Sequence, residues 1–454
     1  MYSKEILDFF KKKGISIGDR VSISSRDMAL EGEIMPKTEA GDRATIVIKL
    51  DSGYNTGIKF SEDMDIEKLA SGKAEVSFPK AKVTQKKGLP KVTLIYTGGT
   101  IGSKVDYKSG GVYTLTKPEE LLYEVPELSN IANIEIVPLF SIFSEDMSYL
   151  EWQKIAEKVA ESLNSGSNGV VVTIGTDTMH YAASALSFML PNLNAPVAVT
   201  GAQRSSDRGS SDAFMNLTCA VAAAARSDIA EVFVCMHASS SDDRCALIRG
   251  TRARKMHTSR RDAFKSINDT PIAFVDRAHK ITYNNNYKRA GASDKKTDAK
   301  TSFEERVALV KIHPNSNPEI MEFYSSKGYK GIILEGTGLG HVAATTQHRQ
   351  FNWLQHIRNA TDKGIVVGMT SQCINGRVHS SVYSTARELS DAGVIYCDDM
   401  LPETAYVKLC WLLGNHRREE AARLLNRDLV GEMKKRSGYE EFEEDEYAGE
   451  SAGK

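Results

Sequence analysis

The sequence predicts a two-domain α/β protein with mostly parallel sheets, preceded by a small antiparallel β-barrel. Three observations lead there. Aliphatic runs such as VTLIY (92–96) and GVVVTI (169–174) are continuous enough to be strands buried on both faces. Helical stretches alternate with such runs from residue 91 onward, the pattern of a parallel sheet covered by helices on both sides. Ahead of them, residues 15–60 alternate apolar and polar positions (RVSIS, GEIMP, ATIVIKL) between turn signals GD, EAGD and DSGYNTG.

In chain order, MYSKEILDFFKKKG lacks an uninterrupted apolar stretch and reads as a short amphipathic helix stopped at Gly14. The barrel follows, and SGKAEVSFPKAKVTQKKGLP (71–90), with its prolines and lysines, reads as a linker. LEWQKIAEKVAESL (150–163), MHYAASALSFML (179–190) and DAFMNLTCAVAAAA (212–225) are predicted helices, with GVVVTI and APVAVT (195–200) as strands among them. The polar stretch 284–302 links to a second α/β half. That half holds GIILEG (331–336), a helix near 345–360, IVVGMTS (365–371), GVIYC (393–397) and a helix from about 402 to 425. The expected domains are therefore 1–85, 86–300 and 301–436, with 437–454 as an acidic, solvated tail.

At 454 residues the chain can build two or three cores. Lys plus Arg number 58 against 59 acidic residues, so the overall balance favours no polyanionic partner. The cysteines (219, 235, 245, 373, 397 and 410) form no CxxC pair and most lie in apolar runs, which fits reduced, buried thiols rather than disulfides or zinc ligands. No apolar run approaches the roughly 20 residues of a membrane span. A cytoplasmic soluble enzyme is expected. The histidines, such as the pairs His341/His348 and His237/His257, lack ligand spacing, so no metal is expected.

Two threonines stand directly after the first two strand runs: Thr100 in TGGTI (97–101) and Thr176 in GTDT (175–178). Strand ends on one edge of an open α/β sheet are where ligands bind, so the two hydroxyls point to one shared site. Gly98 and Gly99 let the chain turn sharply with amides exposed beside Thr100, which could form an oxyanion hole; a structural turn or a phosphate cradle would use the same glycines. Asp177, beside Thr176, can pair with an α-ammonium group or cap the following helix. In RGTRARKMHTSRRDAF (249–264), Lys255 is the candidate base toward a hydroxyl. Its neighbours Arg249, Arg252, Arg260 and Arg261 read either as a solvated basic face or as contacts to RNA phosphates or a partner.

With these elements in order, residues 91 to about 430 resemble the type I/II asparaginase-glutaminase family, and the fold expected is asparaginase-like. The pairing of TGGTI with GTDT is far more specific than either motif alone. The front domain and the RKMHTSRRDAF string resemble one branch, the D subunits of archaeal glutamyl-tRNA(Gln) amidotransferases. The resemblance implies that Thr100 attacks a side-chain amide, assisted by Tyr113 in GGVYT (110–114), and becomes acylated. It implies that Lys255 and Asp177 polarise Thr176 and a water, and that Ser144 in SEDM (144–147) binds the substrate α-carboxylate. Glu145 stands where bacterial asparaginases often carry glutamine, so their substrate preference does not transfer. For the acidic residue that the family's C-terminal domain adds to the first triad, Glu388 and Asp391 are the candidates.

The same resemblance implies glutamine or asparagine as ammonia donor and a kinase/transferase partner, the E subunit of such complexes. That partner would bind glutamyl-tRNA(Gln) and use ATP and Mg, since this chain has no GxxxxGK[ST] loop and needs no cofactor of its own. A homodimer within a heterotetramer is expected, with the front domain docking to protein rather than stacking on RNA bases. Two other readings stay open: a stand-alone L-asparaginase with an accessory domain, and a non-catalytic scaffold that keeps only the fold.

Overall fold

In the computed structural model, residues 2–25, 28–35, 44–50, 55–61, 63–71, 86–99, 103–105, 112–114, 125, 127–205, 210–291 and 296–438 are described. The first helix, Lys4–Lys12, starts where the Ser3 side chain accepts the Ile6 N–H and ends at Gly14, whose φ of 67° suits glycine. It buries Ile6 and Phe10 against the front sheet. That sheet is antiparallel: β1 (Arg20–Ser25), β2 (Met28–Ile34), β3 (Thr45–Lys49), β4 (Asn55–Lys59) and β5 (Asp65–Ala70), in the order β4-β3-β2-β1-β5. Alternation sends Val21, Ile23, Ile46, Ile48 and Ile66 into one core.

The first α/β domain carries an eight-stranded sheet. Its strands are β6 (Lys91–Gly98), β9 (Asn133–Ile142), β10 (Gly169–Thr173), β11 (Val197–Thr200), β12 (Val232–His237), β13 (Arg244–Arg249), β16 (Ala273–Asp276) and β17 (Ile281–Tyr283). Two hairpins stand apart, β7 (Ser103–Val105) with β8 (Val112–Thr114) and β14 (Ala253–Lys255) with β15 (Phe264–Ser266). The sheet order is β17-β16-β13-β12-β11-β10-β6-β9, parallel from β12 to β9 and antiparallel beyond. Helices cover both faces, which explains the unbroken aliphatic runs. Val170 and Val172 enter one core while Val171 enters the other. From β6 the chain passes to β9 on one side and then returns to β10 on the other. The β6/β10 boundary is therefore the switch point of the sheet, the place where open α/β sheets bind ligands.

The second α/β domain has four parallel strands, β18 (Val307–Lys311), β19 (Gly331–Gly336), β20 (Val366–Ser371) and β21 (Val394–Tyr396), in that order. Its helix Pro402–Asn415 lies against Met179–Met189 of the first domain, with Phe188 and Trp411 stacked at 5.9 Å and one hydrophobic core running through both. The helix expected near 345–360 begins at Trp353, where Asn352 caps it. The helix expected over 402–425 is two, because His416 adopts an extended conformation (φ −131°, ψ 159°) and Arg418–Leu425 starts anew. All six cysteines are free; five are buried, but Cys373 is exposed. Among the described residues no helix is long and apolar enough to cross a membrane. Most of the acidic tail, from 439 on, lies outside the described residues.

Candidate functional site

Because β6, β10 and β11 are adjacent and parallel, the loops after them leave the same edge of the sheet side by side. Glycines let them touch. Gly99 (φ 82°) lies so close to the next loop that a Cβ there would meet the Gly175 nitrogen at 2.5 Å. A Cβ on Gly175 would meet the Ser144 Oγ at 2.9 Å. One on Gly201, after β11, would meet the Ile174 carbonyl at 2.4 Å.

Into this cluster the β14–β15 hairpin delivers Lys255. Its Nζ donates to Thr176 Oγ1 at 2.9 Å and to Asp177 Oδ1 at 2.6 Å, so one ammonium group ties a hydroxyl to a carboxylate. Thr176 is buried and the Lys255 side chain nearly so, while the Asp177 carboxylate faces solvent at 66% exposure. No side chain caps the helix Met179–Met189. Asp177 is turned to Lys255, and Thr178 Oγ1 donates to the Ser144 carbonyl at 2.6 Å. Next to Lys255, Arg254 pairs with Glu403 of the second domain at 3.0 Å. His180, in the first turn of the helix, is held down to about 4 by burial and then by the Arg254 and Lys255 charges. It is therefore a neutral imidazole at physiological pH.

The structure thus brings together Thr176, Asp177, Lys255 and Ser144, with Ser144 buried and Glu145 exposed beside it. Thr100 lies outside the described residues, although its neighbour Gly99 packs against Gly175. Tyr113 is on β8, paired in register with Lys104. Glu388 and Asp391 are exposed on the helix Ser384–Asp391, and neither is among the hydrogen-bond partners of Lys255 or Thr176. Sequence reasoning missed Gln203, whose Oε1 lies 3.4 Å from Thr176 Oγ1. The signal available was a third strand run, APVAVT, ending in a polar residue at the same sheet edge.

The arginine-rich segment needs a correction: Arg249 and Arg252 neither form a solvated face nor reach outward. Arg249 bonds Glu231 at 2.7 Å and Asp269 at 2.6 Å, and the fully buried Arg252 bonds Asp399 at 3.1 Å across the domain boundary. Arg260 and Arg261 pair locally with Asp262 and Asp242. Among the described residues no group of three metal-ligating side chains occurs.

Comparison with known proteins agrees with this architecture. Residues 91–289 match the family described as Asparaginase, N-terminal, residues 306–425 the Glutaminase/Asparaginase C-terminal domain, and residues 15–69 the GatD N-terminal domain. The L-asparaginase of Thermococcus kodakarensis superposes with a TM-score of 0.66 at 30% identity, covering 76% of this chain and 99% of that one. The D subunit of the glutamyl-tRNA(Gln) amidotransferase of Pyrococcus horikoshii is 50% identical over 434 residues, 94% of this chain and 97% of that protein. The corresponding D subunit of Thermococcus kodakarensis is 47% identical over 446 residues, 97% of this chain and 99% of its own. With all three of its domains accounted for in sequence order, the chain belongs to the family of glutamyl-tRNA(Gln) amidotransferase D subunits and is built on the asparaginase fold.

Proposed function

We propose that this chain is the ammonia-supplying half of a tRNA-dependent amidotransferase and hydrolyses the side-chain amide of glutamine or asparagine. The observation that carries the reading is the Lys255 ammonium bridging Thr176 and Asp177, with Gly99 packed against the same loop. An amide is a poor electrophile, so splitting its hydrolysis into two steps lowers each barrier. In the first, the Thr100 oxygen bonds to the amide carbon, assisted by Tyr113, and the carbon–nitrogen bond breaks as the leaving group takes up the hydroxyl proton and departs as ammonia. Backbone amides at the glycine turn are the donors for the oxyanion. In the second, a water oriented by Thr176, with Lys255 and Asp177 behind it, attacks the ester and restores the Thr100 hydroxyl. Ser144 binds the substrate α-carboxylate.

The names of the relatives support placing this hydrolysis in a complex that amidates glutamyl-tRNA(Gln). A partner chain would bind the tRNA and activate its glutamate with ATP and Mg, consuming the ammonia to give glutaminyl-tRNA(Gln). Two copies of each chain are proposed. The front domain is assigned to docking that partner.

The test is ammonia release from glutamine and from asparagine, measured for the full-length chain alone and with partner and glutamyl-tRNA(Gln). Stimulation by both, abolished in Thr100→Ala and Thr176→Ala, is expected. Strong release indifferent to the partner would instead make the chain a free-standing asparaginase, and no release by the parent chain under either condition would leave a scaffold.

A further inference from the structure

The loop after β11 is built around a buried carboxylate. Asp212, fully buried, accepts the Gln203 N–H on both oxygens at 3.0 Å and the Arg204 N–H at 3.1 Å. Asn216 donates to the same carboxylate at 3.0 Å and to the Gly201 carbonyl at 2.9 Å. The backbone that carries Gln203 is therefore clamped on both sides. Its side chain leaves that cradle and points at the site, with Oε1 at 3.4 Å from Thr176 Oγ1 and Nε2 buried and unpartnered among the described residues.

A hydroxyl has one proton to give and two lone pairs. At Thr176 the Lys255 ammonium occupies one lone pair. If the hydroxyl proton pointed at the water, that water would be held with its oxygen toward the threonine and its hydrogens away from it. That orientation is the wrong one for drawing off a proton as the water attacks.

We propose that Gln203 is a positioning residue that takes the Thr176 proton on its Oε1 and so leaves one Thr176 lone pair free to accept from the attacking water. The inference rests on the reading of Thr176 as the water-orienting residue. The bond is long, as catalytic hydrogen bonds often are before substrate arrives. With Oε1 toward Thr176 the hydroxyl proton has an acceptor while Lys255 occupies one of the hydroxyl lone pairs.

The experiment uses the full-length protein, its thermal transition checked for each variant, and ammonia release from glutamine as the readout. Gln203→Met removes the acceptor and is expected to lower kcat about tenfold or more with KM changed by less than about threefold. Gln203→Glu keeps an acceptor in both protonation states, a stronger one while ionised. Its kcat should exceed that of Gln203→Met on the alkaline side and fall as acid protonates the new carboxyl, a limb absent from the parent's profile. A Gln203→Met kcat within about threefold of the parent's, or a loss confined to KM, would overturn the proposal. So would a Gln203→Glu variant that gains activity as pH falls, or one no better than Gln203→Met at any pH. Thr176→Ala separates this from the functional reading: an active Thr176→Ala variant refutes the role of Thr176 itself, whereas an inactive one beside an active Gln203→Met refutes Gln203 alone.

Discussion

Two ion pairs begin three residues apart on one basic segment and live in opposite surroundings. Arg252 and Asp399 are both fully buried, and the arginine also donates to the Gly431 carbonyl at 3.1 Å. Lys255 pairs with an Asp177 carboxylate that is 66% exposed. The first pair joins two domains away from water; the second has one member open to solvent. Burial therefore sorts the basic residues of 249–264 into those that hold the fold and those that can do chemistry. Charge density along the sequence does not distinguish them.

The comparison breaks most visibly if each pair loses its cation. Arg252→Met would leave Asp399 charged and uncompensated inside the protein, a loss of about 3–5 kcal/mol in unfolding free energy. Denaturant titration would show it as a lower midpoint with an unchanged slope. Lys255→Met should barely move that midpoint, since a pair with one wet member contributes about 1 kcal/mol or less. It should instead cut amide hydrolysis by about 10²–10⁴-fold. If the two variants lost stability alike, the distinction between the pairs would be wrong.

How much of this was legible in the sequence follows the same line. The strand runs were readable because burial on both faces demands unbroken aliphatic stretches, and Val170, Val171 and Val172 fill two cores accordingly. The meeting of Thr176, Asp177 and Lys255 was readable because strand ends and a lone lysine in a basic string stand out locally. Arg252 was not, because its partner lies 147 residues further on and its burial is set by the packing of two domains. Nor was the approach of Gln203 to Thr176, which depends on β11 being the neighbour of β10. The split of the last helical stretch at His416 left no Pro or Gly to announce it; Gly414 lies inside the first of the two helices.

His180 sharpens the comparison as a third basic group, one whose Nδ1 is buried and unpartnered among the described residues. Burial, then Arg254 and Lys255, hold the ring at about 4 rather than its ordinary 6.5, against a smaller opposing pull from Asp177. A base depressed in the folded state binds fewer protons there than when unfolded, so its contribution is complete above pH 6.5 and is lost as pH falls toward 4. The loss over that window is about 2–3 kcal/mol. Unfolding free energies at the two ends of the window, for the parent and His180→Gln, should diverge by that amount. Parallel curves would mean that the imidazole titrates freely and that the Lys255 surroundings are wetter than the packing implies.

The smallest effect is expected at the outer end of the same segment. Arg260 pairs with Asp262 at 2.9 Å, but the arginine is 57% exposed, so water screens the charge it brings. A double-mutant cycle with Arg260→Ala and Asp262→Ala should give a coupling of about 0.2–1 kcal/mol. Asp262 also faces Lys265 at 3.4 Å, which keeps a cation near the carboxylate after Arg260 is removed and pulls the coupling toward the lower end. A coupling above about 2 kcal/mol would show that exposure does not rank these pairs, since a largely wet arginine would then behave like a buried one. Repeating the cycle at high salt separates the cases: a screened pair loses most of its coupling, and a desolvated one keeps it.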